Sequence, residues 1–142
     1  MTDGRHRPAL LFWLGLGLLL LLATGCQEEA DAADESFMPG GNPVRGAELI
    51  EAYGCPACHT IPGIDGADAL VGPPLTAWAE RVYIAGAIAN TPENLLRWLQ
   101  NPQEIEPGTA MPDLGVTEQG ARDIGAYLYT LTRDDKRSQD EP

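Results

Sequence analysis

The chain has 142 residues, room for one domain and not comfortably two. Acidic side chains number 21 against 9 basic ones, a formal charge of −12. That sign excludes nucleic acid as a partner, because phosphates need a positive face. Aromatic residues make up only 6% of the chain, so a domain of its size has a thin core unless a buried apolar cofactor fills it.

Arg5 and Arg7 precede Leu10 to Ala23, a run of 14 apolar and glycine residues, and Ala23-Thr24-Gly25-Cys26 follows. A basic start, an apolar middle and small residues before a cut read as a secretory signal over residues 1–25. The cysteine after the small residues resembles the lipobox of bacterial lipoproteins, in which that residue is acylated. Ala23 stands where leucine is more frequent. Two alternatives stay open. Residues 8–26, 19 without a charge, are near the length of an uncleaved transmembrane anchor, or a plain signal leaves Cys26 as a free thiol. Acylation and anchor both predict a domain on the periplasmic side, attached to a membrane. Residues 26–42 then read as an anchor cysteine and a flexible linker. Glu28, Glu29, Asp31, Asp34 and Glu35 crowd it, and Pro39-Gly40-Gly41 closes it.

Asn42-Pro43 reads as a helix cap and first residue. Val44, Ala47, Ile50 and Tyr53 recur at near-helical spacing, and Gly54 ends the helix. Cys55-Pro56-Ala57-Cys58-His59 follows at once. C-x-x-C-H is the attachment site of a c-type haem: two thiols reach one porphyrin edge and the histidine turns to the iron. A thioredoxin-like dithiol expects a strand ahead of the first cysteine, and a structural zinc site needs a fourth ligand from a second cluster. Neither feature is present.

The chain holds two histidines, and His6 lies in the signal. A second axial ligand must therefore come from elsewhere. Met38 falls in the linker, leaving Met111 within Pro107-Gly108-Thr109-Ala110-Met111-Pro112, where prolines stiffen the backbone. The other reading of Met111 is ordinary core filler.

Between these points, Gly72-Pro73-Pro74-Leu75 is a rigid turn, and 76–89 is expected to contain a short helix with Trp78 and Val82 on one side. Thr91-Pro92-Glu93 starts a helix that runs to Asn101-Pro102. Trp98 on it either lies against the haem or fills the core. Arg81 either holds a propionate or sits at the surface. Thr117 caps a last helix with Ala121, Ile124, Leu128 and Leu131 as its apolar stripe. Small residues Gly46, Ala47, Ala121 and Gly125 predict that the first and last helices cross at contact distance. A charged tail, 133–142, closes the chain.

Over residues 43–132 the sequence resembles a class I bacterial cytochrome c. The motifs are Gly46 through Gly54-Cys55-Pro56-Ala57-Cys58-His59, Gly72-Pro73-Pro74-Leu75, Asn101-Pro102 through Met111-Pro112, and Ala126-Tyr127-Leu128. Asn90-Thr91-Pro92-Glu93-Asn94-Leu95 with Trp98 is similar to the cytochrome c domain of caa-type oxidase subunit II and its small membrane-bound relatives. The resemblance implies an all-α fold of three main helices around one covalent haem c. It implies thioethers at Cys55 and Cys58, axial His59 and Met111, and a Pro73 carbonyl accepting the second ring N–H of His59. Arg81 falls where the family often holds a propionate, and Trp98 where an aromatic packs beside the methionine. The chain departs from the family in having no lysine ring for docking, since its single lysine is Lys136. The function implied is that of a membrane-tethered one-electron carrier, not an enzyme, between a quinol-oxidising complex and a terminal oxidase. The alternatives are a haem subunit held permanently in a larger dehydrogenase or reductase, and a gas-binding or peroxidase-like haem protein.

Overall fold

The computed structural model describes residues 37–133. The signal, Cys26, the acidic part of the linker and nearly all of the charged tail lie outside the described residues. Four helices form the body: α1 Pro43–Ala52, α2 Pro92–Gln100, α3 Pro102–Ile105 and α4 Glu118–Thr130. A hairpin of two short antiparallel strands, β1 Tyr83–Ile84 and β2 Ile88–Ala89, lies between α1 and α2. Among the described residues no helix is long and apolar enough to cross a membrane.

Each long helix starts where the sequence sets its cap. The Asn42, Thr91 and Thr117 side chains accept from the backbone N–H of Arg45 (3.0 Å), Asn94 (3.3 Å) and Gly120 (3.1 Å). Asn101 ends α2 and caps α3 by accepting from Glu104 N–H.

Helices α1 and α4 cross at Gly46. A Cβ there would lie 2.1 Å from the Asp123 carbonyl oxygen, so only glycine permits the approach. The stripe on α4 is buried as expected: Ala121, Ile124, Leu128 and Leu131 are at most 5% exposed. Gly125 makes room for something else. A Cβ on it would lie 2.5 Å from Met38 Cε.

Met38 corrects the linker expectation at its carboxyl end. It is fully buried, plugged between α4 and Leu95 of α2. The Phe37 ring sits 4.6 Å from that of Tyr129. Arg122 and Gln119 donate to the carbonyls of Pro39 and Gly40. Residues 37–42 are therefore a strap across α4. At its end, buried Asp123 accepts from Asn42 N–H (2.8 Å), from two nitrogens of Arg45 (3.1 Å each) and from Gln119 (3.0 Å).

Two further expectations are corrected. Residues 76–89 do contain a short helix, a 3-10 turn at Trp78–Glu80, but it stops before Val82, and the rest is the unexpected hairpin. Ala77 and Ala85 take positive φ (51° and 52°), which breaks any longer helix there. Trp78 is buried while Val82 is 69% exposed, so the two do not share a face. On α1, Val44 is exposed while Ile50 is buried.

Candidate functional site

One cavity of about 470 Å³ opens between α1, α2, α4 and the loops, within the range of small-molecule and cofactor sites. Cys55, Cys58, His59, Pro73, Arg81, Trp98 and Met111, residues the sequence singles out, all line it. Its walls are mostly apolar, with Ile50, Leu95, Ile124 and Leu128 facing in from three helices.

The cysteine corner follows from local chemistry. Gly54 takes φ +76°, a conformation open to glycine, and ends α1 abruptly. Pro56 then sets a 3-10 turn over Cys55–Ala57. The backbone N–H groups of Cys58 and His59 both donate to the Cys55 carbonyl at 3.1 Å. Both thiols are free and partly buried. Burial, with the neighbouring Cys58, holds the Cys55 thiol above its ordinary pKa despite a backbone hydrogen bond that opposes this.

His59 is fixed from two sides. Its Nδ1 donates to the Pro73 carbonyl at 2.7 Å. A carbonyl only accepts, so Nδ1 carries the proton and Nε2 keeps its lone pair. Gly72 lies flat on the ring: a Cβ there would be 2.4 Å from Cε1. The Gly72 N–H also donates to the Cys58 carbonyl at 2.6 Å.

Met111 sits on a loop that one side chain clamps. Gln103 Nε2 donates to the carbonyls of Thr109 (2.8 Å) and Met111 (3.1 Å). Its Oε1 accepts from Gly108 N–H at 3.0 Å. The sequence reading did not find Gln103, because a glutamine in the first turn of a short helix carries no signal of a partner five to eight residues on.

Trp98 is buried on α2 and lines the cavity, so it belongs both to the core and to the site. Arg81 donates to the carbonyls of Pro74 and Thr76 and lies 5.1 Å from the Trp78 ring centroid. Burial holds its pKa below the ordinary value.

Trp78 is the second residue that the sequence reading missed as a site residue. Its indole Nε1–H is buried without an acceptor. A buried donor left alone costs about 1–3 kcal/mol. An orphaned N–H and a half-buried guanidinium at one wall of an apolar cavity call for an anionic group there. Two thiols, an imidazole with a free lone pair and a thioether call for a metal-bearing macrocycle. The residues present fit a haem with its propionates toward Arg81 and Trp78.

A protein-family model described as cytochrome c matches residues 43–132. Cytochrome c oxidase subunit 2 of Alkalihalophilus pseudofirmus is 34% identical over 88 residues, which are 61% of this chain and 25% of that protein. The chain thus spans about a quarter of the length of that relative. Cytochrome c2 of Rhodopila globiformis is 36% identical over 106 residues, 66% of this chain and 96% of that protein. The solved cytochrome c2 of Rhodobacter sphaeroides aligns over 65% of this chain and 97% of its own, with 21% identity and a TM-score of 0.46.

Proposed function

The chain belongs to the cytochrome c family, and from that premise we propose that it is a membrane-tethered, mono-haem carrier that takes electrons singly from a quinol-oxidising complex and passes them to a terminal oxidase. As a cytochrome c it holds haem c covalently. The convergence of Cys55, Cys58, His59 and Met111 on one apolar cavity carries the reading.

Bound there, the haem supplies a one-electron couple at its iron. The side chains hold it and exclude water. Cys55 and Cys58 would hold it through thioether bonds, each thiol adding its S–H across a vinyl group of the macrocycle. His59 offers Nε2 to the iron, oriented by the Nδ1 bond to Pro73. Met111 offers its sulfur, a ligand that favours the reduced metal and raises the potential. Arg81 and Trp78 take the propionates.

In the full-length chain, Cys26 is acylated after removal of residues 1–25 and tethers the domain on the periplasmic side. The acidic body favours a basic redox partner. A second reading is favoured by the oxidase-subunit relative, in which the matching stretch is a quarter of a longer protein: a haem subunit held permanently in a larger complex. Purification in mild detergent separates the two, since a stoichiometric catalytic partner would support the second.

Mass spectrometry of the native protein, with a redox titration, tests the carrier reading. The expected result is one covalent haem, an N-terminus at Cys26 bearing acyl chains, and a single reversible one-electron couple. Ready carbon monoxide binding by the reduced protein would reveal an open sixth position and overturn it in favour of gas-binding or peroxidase chemistry. An intact residue 1 would overturn the lipid tether.

A further inference from the structure

Leu70 and Val71 are 81% and 75% exposed, the most exposed large apolar side chains among the described residues. They do not ride on a loose loop. Thr60 and Asp68 form a β-bridge. Thr60 Oγ1 donates to the Ala69 carbonyl at 3.0 Å. The N–H groups of Gly72 and Leu75 donate to the carbonyls of Cys58 (2.6 Å) and Thr60 (2.8 Å). Both feet of the arch are thus pinned to the chain that leaves the cysteine corner. Val71 also lines the cavity mouth. A stiff apolar pair held into water beside a functional site marks a surface that another molecule covers.

The charges around this mouth are one-sided. Asp68 lies two residues before Leu70. Glu106 lines the cavity, and Asp113 stands between two lining residues, Pro112 and Leu114. None of the three joins an ion pair among the described residues. Arg81, the single cation lining the cavity, bonds the Pro74 and Thr76 carbonyls, lies on Trp78 and is assigned above to the propionates, so it adds no free positive charge to this face.

We propose that Leu70 and Val71 form an apolar prow that seats this domain on its electron partner, a redox protein whose contact face is apolar at the centre and basic around it. The surface rests on the carrier reading above and names the partner's chemistry. The apolar pair sets the seat next to Cys58, and the carboxylates steer the approach.

The test uses the full-length holoprotein and oxidase-containing membranes of the organism that encodes it. Reoxidation of the reduced protein is followed by stopped flow. Reduction of the oxidised protein by hexaammineruthenium(II), which needs no protein docking, reports the reactivity of the haem itself. Leu70→Ser is expected to slow the reaction with membranes by roughly fivefold or more, as loss of an interface anchor does, and to leave the hexaammineruthenium rate and the potential unchanged. Leu70→Met is expected to restore most of the rate. Rising salt is expected to slow the wild type, and Asp68→Asn to flatten that dependence.

An unchanged rate for Leu70→Ser against reacting membranes overturns the surface alone. An equal slowing with hexaammineruthenium does the same, since the leucine would then act on the haem. A wild-type rate that rises with salt overturns the basic partner. Wild-type binding to neutral phosphatidylcholine vesicles that Leu70→Ser abolishes assigns the prow to lipid and overturns the proposal. A wild type that reacts with hexaammineruthenium and not with the membranes overturns the surface together with the carrier reading.

Discussion

Replacing Gly46 by alanine opposes two effects whose sizes separate cleanly. Alanine is the better helix former by about 1 kcal/mol, so local propensity alone predicts stabilisation of α1. Packing predicts the reverse. The new Cβ would stand 2.1 Å from the Asp123 carbonyl oxygen, where ordinary contact begins at 3.4 Å. The obstacle is backbone, and it cannot swing away. The axes of α1 and α4 must part by about 1 Å, which loosens Ile50 and stretches the Arg45–Asp123 pair at the same crossing. Overpacking of this kind costs about 3 kcal/mol at the upper end of its range, leaving a net loss of about 2 kcal/mol. For a domain of this size that is a fall in Tm of roughly 8–16 °C. Gly125→Ala is the control on α4 away from the crossing with α1. Its Cβ meets Met38 Cε at 2.5 Å and Leu95 Cδ2 at 3.3 Å, and Met38 Cε is the far end of a flexible side chain. Its net effect is expected within about 1 kcal/mol of zero. Thermal unfolding of the two holoproteins by circular dichroism measures both. A Tm for Gly46→Ala that rises, or falls no further than that of Gly125→Ala, would refute the backbone contact as the element that sets the crossing.

Met38→Ala is expected to destabilise by about 2–5 kcal/mol, because it empties a fully buried slot; a loss under 1 kcal/mol in denaturant titration would show that the strap does not hold. Asp123 is subject to burial, which raises its pKa, but its bonds from Arg45, Asn42 and Gln119 prevail and leave it below the ordinary value. Its charge therefore stabilises the fold above the unfolded pKa of about 4, and that contribution fades as pH falls through the folded value. Asp123→Asn is expected to cost about 1–3 kcal/mol at neutral pH, with the gap to wild type narrowing under acid; a constant gap down to pH 3 would contradict this. Gln103→Ala is expected to leave the helical circular dichroism intact while the sulfur-to-iron charge-transfer band in the red weakens and melts earlier than the fold. An unaltered band would deny Gln103 its hold on the Met111 loop.

The three longer helices were legible because each combines a polar cap, a following proline or acid, and a spaced apolar stripe, all short-range signals; α3 was not, because Asn101-Pro102 reads equally as a stop. The site was legible for a similar reason: Cys55 to His59 is a contiguous motif, and Met111 stands out by the scarcity of other soft ligands. The hairpin was not legible. Its turn depends on positive φ at Ala85, and alanine gives no sign of that conformation. Met38 was hidden by its acidic neighbourhood, since composition marks a segment as solvated and says nothing of one side chain reaching a glycine notch on α4. Trp78 and Gln103 were missed because an orphaned indole N–H and a loop-clamping amide are facts of three-dimensional placement.

The Met38 plug also decides how the domain bears load. A pull on the chain ahead of residue 37 meets the strap first. It passes into α4 at Gly125 and through Asp123 into α1, the two positions that flank Ile124, which lines the cavity. Force arriving by that route bears on the crossing of two helices held close at Gly46. The strap is thereby coupled to the cavity wall through a single turn of α4. A protein cut at residue 43, where α1 begins, would keep the motif and lose this coupling.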